Sequence, residues 1–370
     1  MKITIVAGAR PNFMKIAPLI HAIERRKEKG ERRKLSYRLV HTGQHYDPKL
    51  SDTFFEELGI PKPDVNLEVG SGTQAEQTAG IMLGFEKELL AHPADLVIVV
   101  GDVTSTMACS ITAKKLNTRV AHIEAGIRSF DLTMPEEINR MVTDSITDLF
   151  FTTSYFANEN LRKAGVSEER IHFVGNVMID TLLANRNRFV RPAIWDQFGL
   201  KDKGYIVITL HRPVNVDDPE NLHRLLEAIT DAAGEVPVIF PVHPRTLKVL
   251  NSFDPSQSRS LAPSLHLTEP MGYLEFNYLV EKAFAVITDS GGITEETTVM
   301  GVPCMTLRDS TERPETCTVG TNELLGTDPA AIKPAMQKLF TGEWKKGGIP
   351  ELWDGMAAER IVEVLLRSEM

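Results

Sequence analysis

Short runs of β-branched and apolar residues alternate along this chain with longer amphipathic stretches, and this alternation constrains the fold more than any other feature. In the first half the apolar runs are KITIVAG (2–8), YRLVHTG (37–43), DLVIVVGD (95–102), RVAHIEAG (119–126) and LFFTTS (149–154). In the second half they are YIVITLH (205–211), VPVIFPVH (236–243), SLHLTE (264–269), FAVITDS (284–290) and VPCMTL (302–307). Continuous apolar strands separated by helices indicate parallel sheets that are covered on both faces. The pattern therefore predicts an α/β fold with two doubly wound, Rossmann-like domains.

The boundary between the two domains is expected near residues 178–204, where apolar periodicity weakens and charge rises. We therefore predict an N-terminal Rossmann-like domain at 1–180 and a C-terminal Rossmann-like domain at 181–353. A chain of 370 residues with 42% hydrophobic content is long enough to bury two such cores. The helical pattern DGMAAERIVEVLLRS (354–368) could pack on either domain.

The charge and the cysteines restrict the partners and the compartment. The formal net charge is −9, which argues against general electrostatic attraction to nucleic acid or to an anionic membrane. Cys109, Cys304 and Cys317 are scattered and form no CxxC motif, which disfavours disulfides and structural zinc and suits a reducing compartment. The first apolar run is too short for a signal peptide, and no segment approaches the roughly 18 apolar residues of a membrane helix. These features predict a soluble cytoplasmic protein.

The residues that directly follow the apolar runs are the candidate site residues, because ligands of open parallel sheets bind beyond the carboxyl ends of the strands. In GARPNFMK (8–15), Arg10 and Lys15 lie near the start of a helix, where cations and free N–H groups together predict an anion site. The motif is neither GxGxxG nor a P-loop. Asp102 follows another run and could cap the next helix. Glu124 ends a run that should be buried, which favours either a buried salt bridge or a functional role.

Three further stretches carry charged side chains at such positions. In MPEEINR (134–140), Glu136 and Arg140 are four residues apart, a spacing that is by itself typical of a helix with an ion pair. TLHRPVN (209–215) places His211 and Arg212 after a strand, and PVHPR (241–245) repeats the arrangement with His243 and Arg245. A single histidine of this kind is more often a packing or capping residue, but two such strand ends favour contact with phosphate.

The stretch DSGGITEE (289–296) combines small residues with acids where a strand should be followed by a helix. The backbone amides of Ser290, Gly291 and Gly292 can point at one anion without a side chain in the way. Glu296 lies about a turn further on, where its carboxylate could accept hydrogen bonds from a sugar diol. RDSTERPE (308–315) follows the next strand and brings Arg313 towards the same edge. The stretch predicts a phosphate held beside a ribose, with a simple strand–helix turn as the competing interpretation.

Together, the motifs GARPNFMK, GDVTST, HIEAGIRSFDLTMPEEINR, LHRPVN, VHPR and TDSGGITEE…RDSTERPE resemble those of the non-hydrolysing UDP-N-acetylglucosamine 2-epimerases. They occur in order from about residue 3 to residue 325. The resemblance implies a glycosyltransferase-B-type fold, in which two Rossmann-like domains face a deep cleft and the C-terminal helix (354–370) packs back on the first domain. It also implies a UDP-sugar substrate, a homodimer, and catalysis without a metal, a nicotinamide or another cofactor.

The reaction that the resemblance implies is the interconversion of UDP-N-acetylglucosamine and UDP-N-acetylmannosamine, which supplies a precursor for surface polysaccharide. The C2 proton has no neighbouring carbonyl to acidify it, so UDP must begin to leave C1 before that proton becomes acidic. Elimination gives 2-acetamidoglucal and UDP, and re-addition delivers a proton to the opposite face. This route needs carboxylates and a histidine around the sugar, and cations around the leaving pyrophosphate.

The resemblance also assigns roles to particular positions. The catalytic positions are Asp102, Glu124, Glu136 and His211. The substrate-binding positions are Arg10, Lys15, Arg140, Arg212, His243, Met271, Phe276, Ser290, Gly291, Gly292, Glu296 and Arg313. Among these, Phe276 in EPMGYLEFNYL matches a position that contacts the uracil ring. The resemblance does not assign which acid removes the C2 proton and which returns one.

Two departures from the family pattern leave the substrate and the reaction type open. Many bacterial members have QHR and a further glutamine in an activating UDP-N-acetylglucosamine site, whereas GQHYDPKL here carries Tyr46 and Asp47, and HRPVN carries Val214 in place of a common glutamate. These changes put substrate activation in doubt and are compatible with a 2-epimerase of a diacetamido uronic acid UDP-sugar.

The motifs are also compatible with a hydrolysing relative that releases UDP and N-acetylmannosamine, a glycosyltransferase of the same fold, or an inactive UDP-sugar sensor. The transferase would require an exposed acceptor patch, which is not evident, and the intact acids disfavour the sensor.

Overall fold

The computed structural model describes residues 1–28, 35–43, 57–253 and 261–368, so Tyr46 and Asp47 lie outside the described residues. The chain divides into two compact units. The first comprises Met1–Thr181 together with Glu351–Met370, and the second comprises Leu182–Pro350. The first unit is therefore discontinuous in sequence, whereas the second is one uninterrupted segment.

Strands and helices alternate through both units, and their bounds are as follows. The strands are Lys2–Ala7 (β1), Ser36–His41 (β2), Val65–Asn66 (β3), Leu96–Val100 (β4), Arg119–Ile123 (β5), Leu149–Thr152 (β6), Ile171–Phe173 (β7), Ile206–Thr209 (β8), Val238–Pro241 (β9), Leu265–Thr268 (β10), Ala285–Thr288 (β11), Cys304–Thr306 (β12) and Asn322–Leu324 (β13). The α-helices of the described residues are Arg10–Glu28 (α1), Gln74–Ala91 (α2), Thr104–Lys115 (α3), Pro135–Ile146 (α4), Tyr155–Lys163 (α5), Val177–Asn185 (α6), Ile194–Gln197 (α7), Pro213–Val216 (α8), Pro219–Ala233 (α9), Pro244–Leu250 (α10), Tyr273–Lys282 (α11), Gly291–Met300 (α12), Pro314–Thr318 (α13), Ile332–Phe340 (α14) and Ala357–Arg367 (α15).

Each unit contains one parallel sheet, which confirms the predicted doubly wound α/β fold class. The strand order is β3-β2-β1-β4-β5-β6-β7 in the first unit and β10-β9-β8-β11-β12-β13 in the second. The order reverses once in each sheet, between β1 and β4, where Ile5 pairs with Ile98, and between β8 and β11, where Ile208 pairs with Ile287. Such switch points open a crevice at the carboxyl ends of the strands, and this is where doubly wound sheets bind ligands.

Three strands are absent from the sequence-based prediction, namely β3, β7 and β13. Each is two or three residues long and each is an edge strand of its sheet. An edge strand is covered less completely than a central one, so it carries no long apolar run. Their sequences, VN, IHF and NEL, are too short to show a period. The central strands were predictable because they are buried on both faces.

Alternate residues of the central strands enter different hydrophobic clusters, as expected for a sheet with helices on both faces. In β1, Ile3 and Ile5 pack with α1, whereas Val6 packs with residues of α2 and α3. In β8, Ile206 and Ile208 join α9, and Val207 joins residues of α11. Each unit therefore has a core of its own. No helix among the described residues is long and apolar enough to cross a lipid bilayer.

The C-terminal helix α15 packs within the first unit. Its apolar side chains, including Ile361 and Leu365, join the cluster that contains Ile3 and Phe13. The carboxylate of Asp180 in α6 accepts the amides of Ala357 and Ala358 at 3.1 and 2.7 Å, at the first turn of α15. Burial raises the pKa of Asp180 to about 6, although both amide hydrogen bonds favour the ionised form. Asp180 thus connects the end of the first unit's main segment to the returning helix.

Candidate active site

Asn12 fixes the turn that follows β1 at the switch point of the first unit. Its Oδ1 accepts the amides of Gly8 and Ala9 at 3.0 and 2.9 Å, and its Nδ2 donates to the carbonyl of Val100 at 3.1 Å. The side chain therefore ties the ends of β1 and β4 together. Asn12 was not predicted as a site residue, because its only signal in the sequence is an asparagine in the first turn of a helix. The helix α1 begins at Arg10, and the side chain of Arg10 lies outside the part that the structure describes.

Lys15 and Glu124 form a buried ion pair next to this turn. Lys15 Nζ lies 2.6 Å from Glu124 Oε2, and only 14% and 2% of the two side chains are exposed. Glu124 has φ +69°, a left-handed conformation that costs a non-glycine residue on the order of 1–2 kcal/mol. A Cβ on Gly101 would lie 3.1 Å from Lys15 Nζ, so glycine leaves room for the pair. The pairing realises the buried salt bridge that the sequence left as one alternative, and the strained backbone is typical of a functional position.

Asp102 is held by Arg140, which is itself buried. Arg140 Nη2 donates to Asp102 Oδ2, and Arg140 Nη1 donates to Glu137 Oε2 at 2.7 Å. Burial opposes ionisation of Glu137, but hydrogen bonds from the Ser129 amide and Arg140 outweigh it, so the pKa of Glu137 is lowered. Arg140 therefore lies between two carboxylates. Glu136, the predicted catalytic glutamate, is half-buried in the same first turn of α4.

A second buried cluster supports the backbone beside Asp102. His122 in β5 contacts the Gly101 carbonyl through Nε2 at 2.8 Å and Asp144 Oδ1 through Nδ1 at 2.7 Å. Asp144 also pairs with Arg128 at 2.7 Å. Burial raises the pKa of Asp144, but His122 and Arg128 outweigh this effect and hold it below its usual range. The ring of His122 lies between the Asp144 carboxylate and the Gly101 carbonyl, so this histidine ties Asp144 to the backbone of the Gly101–Asp102 turn.

His211 and Asp289 form a hydrogen-bonded dyad across the switch point of the second unit. His211 Nδ1 lies 2.8 Å from Asp289 Oδ1, and Asp289 also accepts the backbone amides of His211 and Arg212. Burial raises the pKa of Asp289, but its bond to His211 and the Arg212 amide outweigh burial, so the pKa is lowered. Asp289 is completely buried, whereas 43% of the His211 side chain is exposed. His211 Nδ1 is committed to Asp289, so Nε2 is the atom left for proton transfer. Asp289 was not predicted from the sequence as a site residue, although it begins the motif DSGGITEE.

His243 lies close to this dyad and differs from His211 in its hydrogen bonding. The two imidazole centroids are 6.0 Å apart. His243 caps α10, because its Nδ1 accepts the amide of Arg245 at 3.2 Å. Burial and the neighbouring His211 lower the pKa of His243, which agrees with a neutral ring that accepts at Nδ1. Arg245, which the sequence analysis associated with phosphate, pairs instead with Asp217, its Nε 2.8 Å from Asp217 Oδ1.

The turn after β11 starts helix α12 at Gly291. The amide of Ser290 donates to Thr288 Oγ1 at 3.0 Å, so this amide is engaged within the protein rather than open towards an anion. The Ser290 side chain makes no capping hydrogen bond to α12. Arg212 donates from Nε to the Asp289 carbonyl at 2.9 Å. The helix starts at Gly291 and Gly292, where the first amides of a helix have no intrahelical acceptor and favour an anion.

Farther along α12, Glu296 is buried and accepts the hydroxyl of Tyr273 at 3.1 Å. Burial raises the pKa of Glu296 to about 7, which makes it an unusually basic carboxylate. Arg313 Nε contacts Glu295 Oε1, so Arg313 packs against the same helix. The half-buried Met271 and Phe276 pack against one hydrophobic cluster of this unit.

The structure thus gathers the candidate residues into one group in each unit. In the first unit, Lys15, Asp102, Glu124 and Arg140 lie around Gly101. In the second, His211, Arg212, His243 and the start of α12 lie at the switch point, with Glu296, Arg313, Met271 and Phe276 on or against α11 and α12. Two parallel α/β units of this kind are the building blocks of the glycosyltransferase-B fold. A lipopolysaccharide outer core galactosyltransferase shares this fold at a TM-score of 0.58 and 16% identity, covering 100% of both chains.

Comparison with known proteins narrows this fold class to one family. The family model described as UDP-N-acetylglucosamine 2-epimerase matches residues 27–366. The chain is 39% identical over 374 residues to the UDP-N-acetylglucosamine 2-epimerase of Methanocaldococcus jannaschii, covering 99% of both chains. The crystal structure of that organism's enzyme in complex with UDP-GlcNAc and UDP superposes with a TM-score of 0.87 at 38% identity, covering 99% of this chain and 100% of the other. The UDP-2,3-diacetamido-2,3-dideoxy-D-glucuronate 2-epimerase of Pseudomonas aeruginosa is 40% identical over 372 residues, covering 99% of this chain and 100% of the relative. The chain belongs to the UDP-N-acetylglucosamine 2-epimerase family, as the resemblance indicated.

Proposed function

We propose that this protein interconverts UDP-N-acetylglucosamine and UDP-N-acetylmannosamine by elimination and re-addition of UDP. The observation that carries the proposal is the match, over nearly the whole of both chains, to the enzyme of this name from Methanocaldococcus jannaschii. The groups around Gly101 and the His211–Asp289 dyad supply the acid–base chemistry that this reaction requires.

In the forward half-reaction the C1–O bond to UDP breaks and its electron pair leaves with UDP, while a base takes the C2 proton and the C1=C2 double bond forms. In the reverse half-reaction the UDP oxygen adds to C1 and a proton is delivered to C2 from the opposite face. Two proton-transfer groups are therefore required. We assign them from among Asp102, Glu124, Glu136 and His211.

The surrounding residues tune these groups. Arg140 orients Asp102, and Lys15 orients Glu124, since each cation contacts its carboxylate directly. Asp289 holds the proton on His211 Nδ1, so that Nε2 can accept or donate a proton. On this assignment, His211→Ala and Asp102→Asn each lower kcat by about 10²- to 10⁴-fold while the protein remains folded.

We assign UDP to the switch point of the second unit. The start of α12 and Arg212 bind the diphosphate, since helix N-termini and arginines favour anions. Glu296 accepts hydrogen bonds from the ribose hydroxyls, and Phe276 packs on the uracil. The half-buried, apolar setting of Phe276 suits an aromatic ring.

A second candidate substrate is the UDP-activated diacetamido glucuronic acid. It is favoured by the 40% identity to the Pseudomonas aeruginosa epimerase of that sugar and by Val214, which replaces a common glutamate. Val214 is exposed at the start of α8, close in sequence to His211. The two substrates carry the same UDP group and the same C2 chemistry, so the acid–base assignment holds for either.

We also propose that the protein acts as a homodimer in a reducing cytoplasm. Four large apolar side chains of one segment are exposed, namely Phe130, Leu132, Ile138 and Met141, and burying them would favour self-association. The three cysteines are all free thiols, as expected in a reducing compartment. Sedimentation of the protein and of a Phe130→Ser/Leu132→Ser double variant tests the dimer, which the variant should weaken.

Proton NMR in D₂O tests the reaction. Incubation with UDP-N-acetylglucosamine should produce the manno epimer with deuterium at C2, at equilibrium with the starting material. Free UDP and N-acetylmannosamine would instead identify a hydrolysing enzyme. If the sugar remains unchanged, the same incubation with the diacetamido glucuronate nucleotide decides in favour of the second substrate or against an epimerase altogether.

A further inference from the structure

Arg308 is a buried cation that the assigned mechanism does not use. It follows β12, and only 5% of its side chain is exposed. Its Nη2 donates to Glu312 Oε2 at 2.6 Å, whereas its Nη1 is buried and has no hydrogen-bond partner among the described residues. A buried guanidinium nitrogen without an acceptor is costly, and this points to an acceptor that the protein chain does not supply.

Arg308 Nη1, the nitrogen without an acceptor, lies beside the start of helix α12. A Cβ built on Gly291 would lie 3.8 Å from Arg308 Nη1 and 3.2 Å from Glu312 Oε1. The space in front of the first helical residue is thus bounded by a guanidinium and a carboxylate, and any side chain at position 291 would fill it. The ten-residue helix α12 has an uncapped N-terminus, which adds positive potential to that of Arg308.

Glu312 is the anion that now lies at this position. Its Oε2 contacts Arg308, and its Oε1 lies 3.9 Å from Arg212 Nη2, so the carboxylate bridges two arginines at the helix start. A carboxylate between two cations and a helix N-terminus occupies the electrostatic position that a phosphate would take. Two anions cannot share this position without strong repulsion.

We propose that Arg308 is a ligand of the substrate diphosphate and that Glu312 is an internal anion which the diphosphate displaces from Arg308 and the start of α12. The proposal rests on the UDP-binding role assigned above to the second unit. In the ligand-free protein Glu312 keeps the buried arginine partly compensated. When UDP binds, the phosphate oxygens take over the bonds to Arg308, and Nη1 gains the acceptor that it lacks. A ligand must therefore compete with the Glu312 carboxylate for Arg308, and a weakly charged ligand does not displace it.

Calorimetric titration of the full-length protein with UDP and with uridine tests this displacement. Glu312→Gln removes the competing charge and should lower the Kd for UDP roughly ten-fold. Arg308→Met should raise that Kd roughly ten- to hundred-fold, and Arg308→Lys should fall between, because lysine keeps the charge but lacks the fork. The Kd for uridine, which carries no phosphate, should be unchanged in all three variants.

The exposed pair of Arg186 and Glu281, 2.7 Å apart in the same unit, provides matched controls. Arg186→Met and Glu281→Gln should leave the Kd for UDP unchanged. Glu312→Gln is decisive, because a gain in affinity cannot arise from misfolding. Unchanged or weaker UDP binding by Glu312→Gln would overturn the displacement while leaving the proposed function standing. Failure of the unaltered protein to bind UDP would overturn the proposed function and this inference with it.

Discussion

At the scale of single residues, the proposed reaction depends most directly on the His211–Asp289 dyad. The buried carboxylate fixes which imidazole nitrogen carries the proton, and it also accepts the amides at the start of the His211–Arg212 turn. In the proposed mechanism, Asp289 is therefore a positioning residue that acts through His211. Its effect should appear in kcat and in the pH profile rather than in substrate affinity.

Asp289→Asn tests this role. The amide can still accept from the backbone, but its NH₂ group would face His211 Nδ1 and force that nitrogen to accept. The proton would then lie on Nε2 of the neutral ring. We expect kcat to fall about 10²- to 10⁴-fold with KM little changed, and we expect the shape of the pH–rate profile to change. Asp217→Asn, at an exposed carboxylate paired with Arg245, is the control and should keep normal kinetics. If the fall in kcat is fully accounted for by a smaller folded fraction of the variant, Asp289 has only a structural role.

The buried carboxylate of Glu296 is expected to lower the stability of the folded protein while it contributes to the proposed binding of the substrate. Its pKa is about 7 in the folded protein against 4.5 for an ordinary glutamate, because burial disfavours the charge. Between pH 4.5 and 7 this carboxyl is ionised in the unfolded chain but still protonated in the folded protein. The free energy of unfolding therefore falls as the pH rises through this window, and the whole loss is present above pH 7. Glu296→Gln has no such penalty. It should be more stable than the parent by about 1–3 kcal/mol at pH 8 and nearly equal to it at pH 4.

Chemical denaturation of both proteins at the two pH values measures this difference, and other titrating groups cancel in the comparison. The same variant should raise KM more than it lowers kcat, because an amide is a weaker acceptor for the ribose hydroxyls. Glu323→Gln, at a partly exposed carboxylate near Lys338, should show no pH-dependent gain. A stability difference that is the same at pH 4 and pH 8 would contradict the assignment of a raised pKa.

At the scale of elements, the attachment of α15 depends on a contact that lies far away in sequence. Asp180 accepts two amides of the first turn of α15, where free N–H groups and the helix dipole favour a carboxylate. Asp180→Ala should therefore cost about 1–2 kcal/mol. The amides of α15 should exchange their hydrogens faster, whereas those of α9 in the second unit should be unaffected.

Asp180→Asn keeps one oxygen acceptor without the charge, so its effect should be smaller than that of alanine. Hydrogen exchange followed by mass spectrometry measures both variants peptide by peptide. If hydrogen exchange accelerates equally in both units, the variant lowers the stability of the whole protein rather than releasing α15 locally.

At the scale of the whole molecule, the two units differ in how their cores are assembled from the sequence. The second unit is the single segment 182–350, with hydrophobic clusters built from that segment alone. The first unit needs the returning segment 351–370, because Ala358, Ile361, Val362 and Leu365 belong to the cluster around β1. Each buried aliphatic side chain contributes roughly 1.5–3 kcal/mol, so the loss of α15 approaches the whole stability of a typical domain, about 5–15 kcal/mol.

We therefore expect the fragment 182–350 to fold by itself and the fragment 1–181 to remain largely unfolded. Circular dichroism during heating should show a cooperative transition for the first and none for the second. Restoring α15 to residues 1–181 through a flexible linker is the control and should restore the transition. A cooperative transition in 1–181 alone would contradict the structural role given to α15.

Local patterns in the chain were enough to predict its fold class and most of its candidate residues. The central strands could be identified because burial on both faces requires continuous apolar runs, and the residues after them follow from the general position of ligands in parallel sheets. The short edge strands β3, β7 and β13 could not be identified, because two or three residues carry no period. The roles of Asp289 and Arg308 could not be predicted, since the sequence does not reveal which polar groups are buried together.

The partners of the charged groups were decided only by tertiary structure. Lys15 and Glu124 are 109 residues apart, and His122 and Asp144 are 22 residues apart. Such pairs form because β4 lies next to β1, and β5 next to β4, an order that no local pattern encodes. Burial then raises the pKa of Glu296 and leaves Arg308 in need of an acceptor, because the free energy of a charge depends on the solvent and the atoms around it rather than on its neighbours in the chain.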